Sequence, residues 1–262
     1  MQTKIKLWSG CTILLCAGFV WHMAVSPGFA ADNNCIKCHE SMVQQDDAHP
    51  AHSFAEWQKS IHAKRGLSCN VCHGGNTQTD EKAAAHQGIV HSSDPSSRIY
   101  FDKIPETCGS CHTKELKGFK ESVHYKELES TGRGPNCVTC HGSMATRLMT
   151  PREMESICTL CHRRPTQAYA ALLTLQSSQK LLTQLEEQLK QMQGQPADVA
   201  GQIADLDKAR QSYRDALVTW HTFDMSKVSA QARTINQTIR NAMHELELKK
   251  VKKESPAKEK GR

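Results

Sequence analysis

The chain has 262 residues and a formal net charge of +6, and it contains 12 cysteines and 14 histidines. Hydrophobic residues make up 38 % of the chain and aromatic residues 5 %, which is lean for a protein of this length. This composition argues against a fold held by apolar side chains alone. Either cross-links or a bound group must complete the core.

The first 30 residues have the features of a secretory signal. Two lysines precede an apolar stretch over residues 7–25, and the small residues before position 31 suit signal peptidase. We therefore expect cleavage after Ala30 and export to the periplasm or another extracytoplasmic compartment. An apolar run of about 19 residues is also close to the length that spans a bilayer. An uncleaved inner-membrane anchor formed by residues 7–25 is therefore the alternative.

The remaining cysteines form five pairs of one spacing, and histidine follows each pair at once. The cysteines are Cys35, Cys38, Cys69, Cys72, Cys108, Cys111, Cys137, Cys140, Cys158 and Cys161. The histidines are His39, His73, His112, His141 and His162. A disulfide framework would not need these histidines, and zinc ribbons use cysteine pairs in twos. Cys-x-x-Cys-His is the attachment signature of c-type haem, in which the thiols form thioethers and the histidine is the proximal iron ligand. The sequence therefore predicts five covalent haems.

The five motifs lie within residues 35–162, which leaves little protein between the haems. A segment of 128 residues for five haems gives about 26 residues for each one. We expect the haems to touch or nearly touch, to form much of the core, and to be surrounded by short helices and loops. Haem propionates add on the order of ten negative charges, so the basic sequence says little about partners. No nucleic-acid-binding motif is present.

Whether each iron carries electrons or binds a substrate depends on its sixth ligand, on the distal side. A second histidine or a methionine saturates the iron, whereas an open position admits a substrate. Eight further histidines lie outside the signal and the motifs, and five would suffice. They are His49, His52, His62, His86, His91, His124, His221 and His244.

Two of these histidines occupy the same place in an internal repeat. His62 and His124 each end an aromatic-x-x-Ser-x-His stretch that precedes a Cys-x-x-Cys-His-Gly motif. A repeated histidine on a short helix before a haem motif is expected to be a distal ligand, on its own haem or on a neighbouring one. We expect one more ligand from His86 and His91, and one from His49 and His52. Met42 is an alternative ligand near the first motif.

The order of motifs over residues 35–162 resembles that of a known group of cytochromes. The stretches "CIKCHESM", "FAEWQKSIHAKRGLSCNVCHGG" and "IYFDKIPETCGSCHTKELKGFKESVHYKELE" are similar to the N-terminal haem region of octahaem cytochromes like hydroxylamine oxidoreductase. These share a superfamily with the pentahaem nitrite reductases, and the Ser-x-His element also resembles that of tetrahaem quinol dehydrogenases held by one N-terminal helix. The resemblance implies a wire of haems in parallel and perpendicular contact, and long C-terminal helices that pack on the haems and often dimerise.

Two departures limit what the resemblance implies. The octahaem enzymes have eight motifs, whereas this chain has five. The pentahaem nitrite reductases bind their catalytic haem through Cys-x-x-Cys-Lys, whereas all five motifs here end in histidine. The second departure argues against nitrite reduction.

After residue 164 the sequence contains no cysteine, and its apolar residues follow a helical pattern. Apolar residues recur at three- and four-residue intervals, which predicts two or three long helices packed as a hairpin or coiled coil over residues 165–249. The predicted seam runs through Leu175, Leu182, Leu185, Leu189, Met192, Val199, Ile203, Leu206, Tyr213, Leu217, Trp220, Val228, Ala232, Ile235, Ile239, Ala242 and Leu246, with Arg210 as its one polar position.

One residue of this helical region is a further ligand candidate. His221 lies at a turn beside Trp220 and Phe223, which could shield a haem edge. We expect the helices to return to the haem segment there and to supply His221 as a distal ligand. His244 has polar neighbours and is expected to be solvated. Residues 250–262 are highly charged and are expected to be disordered.

The sequence thus predicts a mainly α protein. It comprises a signal over residues 1–30, a pentahaem domain over 31–164, a helical domain over 165–249 and a basic tail. The leading functional hypothesis is an exported electron carrier between redox partner proteins such as a quinol dehydrogenase, a reductase or other cytochromes. One alternative is a multihaem reductase or oxidase of small nitrogen or sulfur compounds with one open haem. Another is a membrane-anchored quinol dehydrogenase. A homodimer through the C-terminal helices is a further expectation.

Overall fold

The computed structural model describes residues 33–42, 54–192 and 199–254, and in these ranges the chain is helical without strands. The prediction of a mainly α, loop-rich fold followed by long helices is confirmed. The helices are α1 (Asn34–Met42), α2 (Phe54–Lys59), α3 (Ile61–Lys64), α4 (Asn70–His73), α5 (Lys82–Ala85), α6 (Ile104–Gly109), α7 (Thr113–Glu121), α8 (Val123–Thr131), α9 (Cys137–His141), α10 (Pro151–Cys158), α11 (Thr166–Gln191), α12 (Ala200–Trp220) and α13 (Met225–Glu254). A 3-10 turn, Phe101–Lys103, precedes α6. The signal segment lies outside the described residues.

Helices α11, α12 and α13 pack against one another and bury most of the predicted seam. Small residues allow close approach between α11 and α13, where the Ser178 hydroxyl donates a 3.4 Å hydrogen bond to the carbonyl of Ala232. The deepest side chains of this core are fully buried. They include Leu185, Val228, Ile239 and Leu246. The three long helices therefore share one side-chain core, which Met154 of α10 joins.

The predicted seam is wrong at one place in α12. Ile203 is 42 % exposed, whereas its neighbour Gln202 is only 3 % exposed. The Gln202 amide donates to the carboxylate of Glu245, and its oxygen accepts a 2.9 Å hydrogen bond from Lys249. These partners on α13 satisfy the buried amide, so a polar residue can occupy the core side of the helix. Arg210 pairs with Glu186 on α11 at 2.8 Å and bridges the two helices at the surface.

The motif segment meets the long helices at two places, where α10 packs on α11 and where α7 contacts α12. A Cβ atom on Gly118 would lie 3.3 Å from the carbonyl oxygen of Val218 and 3.5 Å from the Cβ of His221. Glycine at this position therefore lets α7 approach the backbone of α12 closely. The contact positions His221 against the motif segment.

A sharp turn joins α12 to α13. Phe223 has φ 57°, the left-handed region that residues with a Cβ seldom adopt. The next residue, Asp224, accepts a 3.0 Å hydrogen bond from the backbone N–H of Lys227 and so satisfies a donor in the first turn of α13. In the described ranges, no helix is both long and apolar enough to cross a membrane.

Candidate haem-binding centres

Each motif that the structure describes forms about one helical turn. The backbone N–H of the histidine donates to the carbonyl of the first cysteine in the second, third and fifth motifs. These bonds join His73 to Cys69 at 3.0 Å, His112 to Cys108 at 3.0 Å and His162 to Cys158 at 2.8 Å. Residues four apart lie on one face of a helix. The turn therefore brings the histidine to the side of the chain that carries the first thiol.

The thiols of successive motifs are neighbours in space. Burial raises the pKa of Cys69, and the Cys35 thiol of the first motif raises it further. Burial likewise raises the pKa of Cys72, with a second contribution from Cys108 of the third motif. Since thiols influence each other only at short range, the first three motifs lie in chain order along the fold.

The later motifs continue this order. A hydrogen bond between the Cys108 and Cys137 thiols lowers the pKa of Cys108 and raises that of Cys137. Burial, followed by the Cys158 thiol, raises the pKa of Cys140 to about 11. No disulfide joins any two of the ten motif cysteines in the described residues. Both thiols of every motif can therefore form thioethers.

Four motif histidines each face a second histidine ring. The centres of the paired rings are 5.8–6.1 Å apart. The pairs are His39 with His86, His62 with His112, His124 with His162, and His141 with His221. These pairs bring together one candidate distal ligand and one proximal ligand each.

The spacing of these pairs fits an iron between the two rings. Two imidazole nitrogens that each bound one metal at about 2.0–2.1 Å from opposite sides would lie about 4 Å apart, with their ring centres about 6 Å apart. The Nε2 atoms of His124 and His162 are 3.5 Å apart and face each other. Thus the residues present suit a bis-histidine haem, which would supply a one-electron iron couple.

The internal repeat has a structural meaning at both of its histidines. Ser60 is the N-cap of α3 and its hydroxyl accepts from the N–H of Ala63 at 3.0 Å. Ser122 is the N-cap of α8 and accepts from the N–H of Tyr125 at 3.1 Å. Each histidine therefore occupies the second position of a capped helix. Neither histidine faces the haem motif that directly follows it in the sequence. Each faces the motif after that one, so His62 faces His112 of the third motif and His124 faces His162 of the fifth.

The Nδ1 atoms of three distal candidates have hydrogen-bond partners. His86 contacts the carbonyl of Lys82 at 2.7 Å, and His221 contacts the carbonyl of Leu217 at 3.0 Å. His62 contacts the Thr146 hydroxyl at 2.8 Å. An N–H at Nδ1 leaves the lone pair of Nε2 free for a metal. The Nδ1 of His124 is buried and has no described hydrogen-bond partner.

Burial favours the uncharged form of three of these rings, which is the form that binds iron. Burial is the main cause that lowers the pKa of His62, His124 and His221, and the facing histidine lowers it further in each case. Neutral imidazole is the metal-binding state.

The structure also distinguishes between His86 and His91, of which the sequence predicted one as a ligand. His86 faces the first motif, whereas His91 is exposed and its Nδ1 contacts Ser93 at 2.7 Å. His244 is exposed on α13. His49 and His52 lie outside the described residues, as does the side chain of Met42.

Sequence reasoning did not find the loop after the fourth motif. Its Thr146 reaches His62, and the carbonyl of Arg147 lies 3.0 Å from the Nδ1 of His141. The sequence gives no sign of these contacts. Threonine is common in loops, and every residue has a backbone carbonyl whatever its side chain.

Comparisons with known proteins agree with a haem protein of this class. The family model described as cytochrome c552 matches residues 42–133. C-type polyheme cytochrome OmcC of Geobacter sulfurreducens is 25 % identical over 143 residues, which cover 53 % of this chain and 16 % of that protein. C-type polyheme cytochrome OmcB, found in two strains of the same organism, is 26 % identical over 132 residues, 45 % of this chain and 15 % of that protein. No solved structure shows a significant match.

The matched segment is thus a small part of these longer relatives, and the resemblance to hydroxylamine-oxidoreductase-like and nitrite-reductase cytochromes stays a prediction. Together, the family match, the relatives and the Cys-x-x-Cys-His motifs support a multihaem c-type cytochrome with covalently bound haem.

Proposed function

We propose that this protein is an exported pentahaem cytochrome that passes electrons between respiratory partners through bis-histidine haems. The observation that carries the proposal is the set of four histidine pairs with ring centres 5.8–6.1 Å apart. An iron held by two imidazoles has no open position for a substrate, so it exchanges electrons without making or breaking bonds.

The order of the motifs supports a single wire. Neighbouring thiols link the first motif to the second, the second to the third, and so on to the fifth. Since each thiol is the attachment point of a porphyrin edge, neighbouring thiols bring neighbouring porphyrins together. One electron would enter at one end from a reduced partner protein and leave at the other end to an oxidised one.

For the iron of the second motif we propose His49 or His52 as the distal ligand. His73 is its proximal histidine, and the sequence offers His49 and His52 as candidates. Substitution of the ligand by methionine should change the spectrum and potential of one haem, and substitution of the other histidine should change none. If neither His49→Met nor His52→Met has an effect, the assignment of these two histidines to this haem is wrong.

The proposal is tested on the purified holoprotein by mass and by ligand challenge. The intact mass should equal the polypeptide plus five haems, and the double variant Cys69→Ala/Cys72→Ala should lack one. Added nitrite or hydroxylamine should leave the oxidised and reduced spectra unchanged. A haem that binds either compound in stoichiometric amount would contradict the carrier function and favour a reductase or oxidase.

Attachment to the membrane is decided by the N-terminus of the mature protein. We propose cleavage after Ala30 and a periplasmic location. N-terminal sequencing that starts at Ala31 agrees with this, whereas retention of residues 1–30 supports an anchored quinol dehydrogenase.

A further inference from the structure

The loop between α9 and α10 contacts iron-ligand candidates of two consecutive motifs. The Thr146 hydroxyl lies 2.8 Å from the Nδ1 of His62, 84 positions away in the sequence. The next residue contributes its carbonyl, which lies 3.0 Å from the Nδ1 of His141. His62 faces the third motif and His141 is the proximal histidine of the fourth. Two adjacent residues therefore contact ligands of two neighbouring irons.

Thr146 differs in kind from the other partners of the distal histidines. His86 and His221 use carbonyls of their own helical turn, four residues earlier. Those bonds form whenever the local helix forms. His62 depends instead on a hydroxyl from a distant loop, so its support requires the tertiary fold.

A second contact holds the same loop against the ligand helix. The N–H of Ile61, the residue before His62, donates a 3.2 Å hydrogen bond to the carbonyl of Thr146. This backbone bond does not depend on the Thr146 side chain. The hydroxyl can therefore be removed while the loop stays attached to α3.

We propose that Thr146 is a positioning residue that orients His62 and raises its electron donation to the third haem. When the hydroxyl accepts from Nδ1–H, it fixes the tautomer with a free Nε2 lone pair and makes the imidazole more basic. A more basic ligand stabilises ferric iron over ferrous iron, and hence lowers the potential of that haem. The inference rests on the proposed function, because it takes His62 as an iron ligand.

The test compares redox titrations of the holoprotein and its Thr146 variants. Thr146→Val keeps the shape of the side chain and removes the acceptor. We expect the midpoint potential of one of the five haems to rise. At a fixed solution potential its ferric-to-ferrous ratio should fall about tenfold, which corresponds to a rise of about 59 mV. Thr146→Ala should shift the same haem in the same direction, and Thr146→Ser should restore the original value.

Two further variants make the outcome specific. Thr234→Val is the matched control, because the Thr234 hydroxyl donates only to a carbonyl of its own helix, at 3.2 Å to Ala230. It should change no potential. His62→Met identifies the third haem by changing its spectrum, and the haem shifted by Thr146→Val should be the same one.

The failures can be told apart. If His62→Met alters one haem while Thr146→Val and Thr146→Ala alter none, the role of Thr146 is wrong and the ligation stands. If His62→Met alters no haem, the ligation itself is wrong. A uniform shift of all five potentials in Thr146→Val would also overturn the inference, since it would indicate a general rearrangement.

Discussion

The rings of His141 and His221 lie with centres 6.1 Å apart and planes only 23° from parallel, although one belongs to the fourth motif and the other follows the last residue of α12. The other three pairs are tilted by 46°, 56° and 64°. The angle between axial imidazole planes sets the splitting of the iron d orbitals. A haem bound by His141 and His221 should therefore have a spectroscopic signature distinct from those of haems bound by the other three pairs.

Substitution of His221 tests this assignment and the link between the long helices and the haem segment. In oxidised His221→Met, the rhombic low-spin EPR signal expected from nearly parallel imidazoles should disappear while the covalent haem content is unchanged. His244→Met is the matched control, because His244 is exposed on α13 and should change no signal. Persistence of the rhombic signal in His221→Met would remove His221 from the ligand set.

Phe223 is predicted to stabilise the distal side of the fifth haem. Its ring meets His124 edge to face with centres 4.2 Å apart, and it also lies 6.4 Å from Phe119. Phe223→Ala removes this half-buried ring and should cost about 2 kcal/mol of stability, measured as a lower thermal midpoint. Phe223→Leu keeps most of the apolar volume and should lose less. Equal midpoints for the alanine variant and the native protein would exclude this packing role.

The two capping serines should act on two different haems. Ser60→Ala and Ser122→Ala each remove a buried N-cap from a helix that carries a candidate ligand, at a cost of about 1 kcal/mol. We expect the low-spin signal of the third haem to be lost at a lower temperature in the first variant, and that of the fifth haem in the second. The variants serve as controls for each other. Loss of the same signal in both would contradict the pairing.

The cap of α10 predicts a pH dependence. Glu153 accepts hydrogen bonds from the backbone N–H and the hydroxyl of Thr150, and pairs with Arg147 at 3.0 Å. The Thr150 backbone bond is the largest cause that holds the Glu153 pKa at about 2, below its ordinary value of 4.5. A folded-state pKa below the unfolded value adds stability above the unfolded pKa, and this is lost as pH falls through the folded pKa.

Thermal midpoints measured between pH 7 and pH 2 check this directly. The native protein should lose more stability below about pH 4.5 than Glu153→Gln, and the difference between the two should shrink toward pH 2. A constant difference over the whole range would show that ionised Glu153 does not contribute to the cap.

Local chemistry could be predicted from the sequence, whereas the pairing of ligands could not. The Cys-x-x-Cys-His turns and the repeated Ser-x-His stretches depend on residues within a few positions. His62 facing His112 rather than His73 depends on how the chain passes over the second motif, and no local pattern encodes that path. For the same reason the sequence left His86 and His91 equivalent until the structure placed His86 against His39.

The helical region was predicted more completely, because apolar residues that recur every three or four positions indicate the buried face of a helix. The seam residues of α13 are all buried, from Val228 to Leu246. The exception lies in α12. The hydrophobic side chain of Ile203 led to the prediction that it is buried, whereas hydrogen bonds with Glu245 and Lys249 of α13 stabilise Gln202 in the core. A partner that supplies those bonds belongs to another helix and cannot be found from the local pattern.

EPR spin counting on the purified, fully oxidised holoprotein is the most direct test of bis-histidine ligation at all five haems. Bis-histidine ligation predicts about five low-spin ferric haems per chain, including the rhombic signal assigned to the His141 haem, and high-spin iron only in trace amounts. A high-spin signal that integrates to one haem per chain would contradict bis-histidine ligation throughout and would turn the electron carrier into a protein with an open, substrate-binding iron.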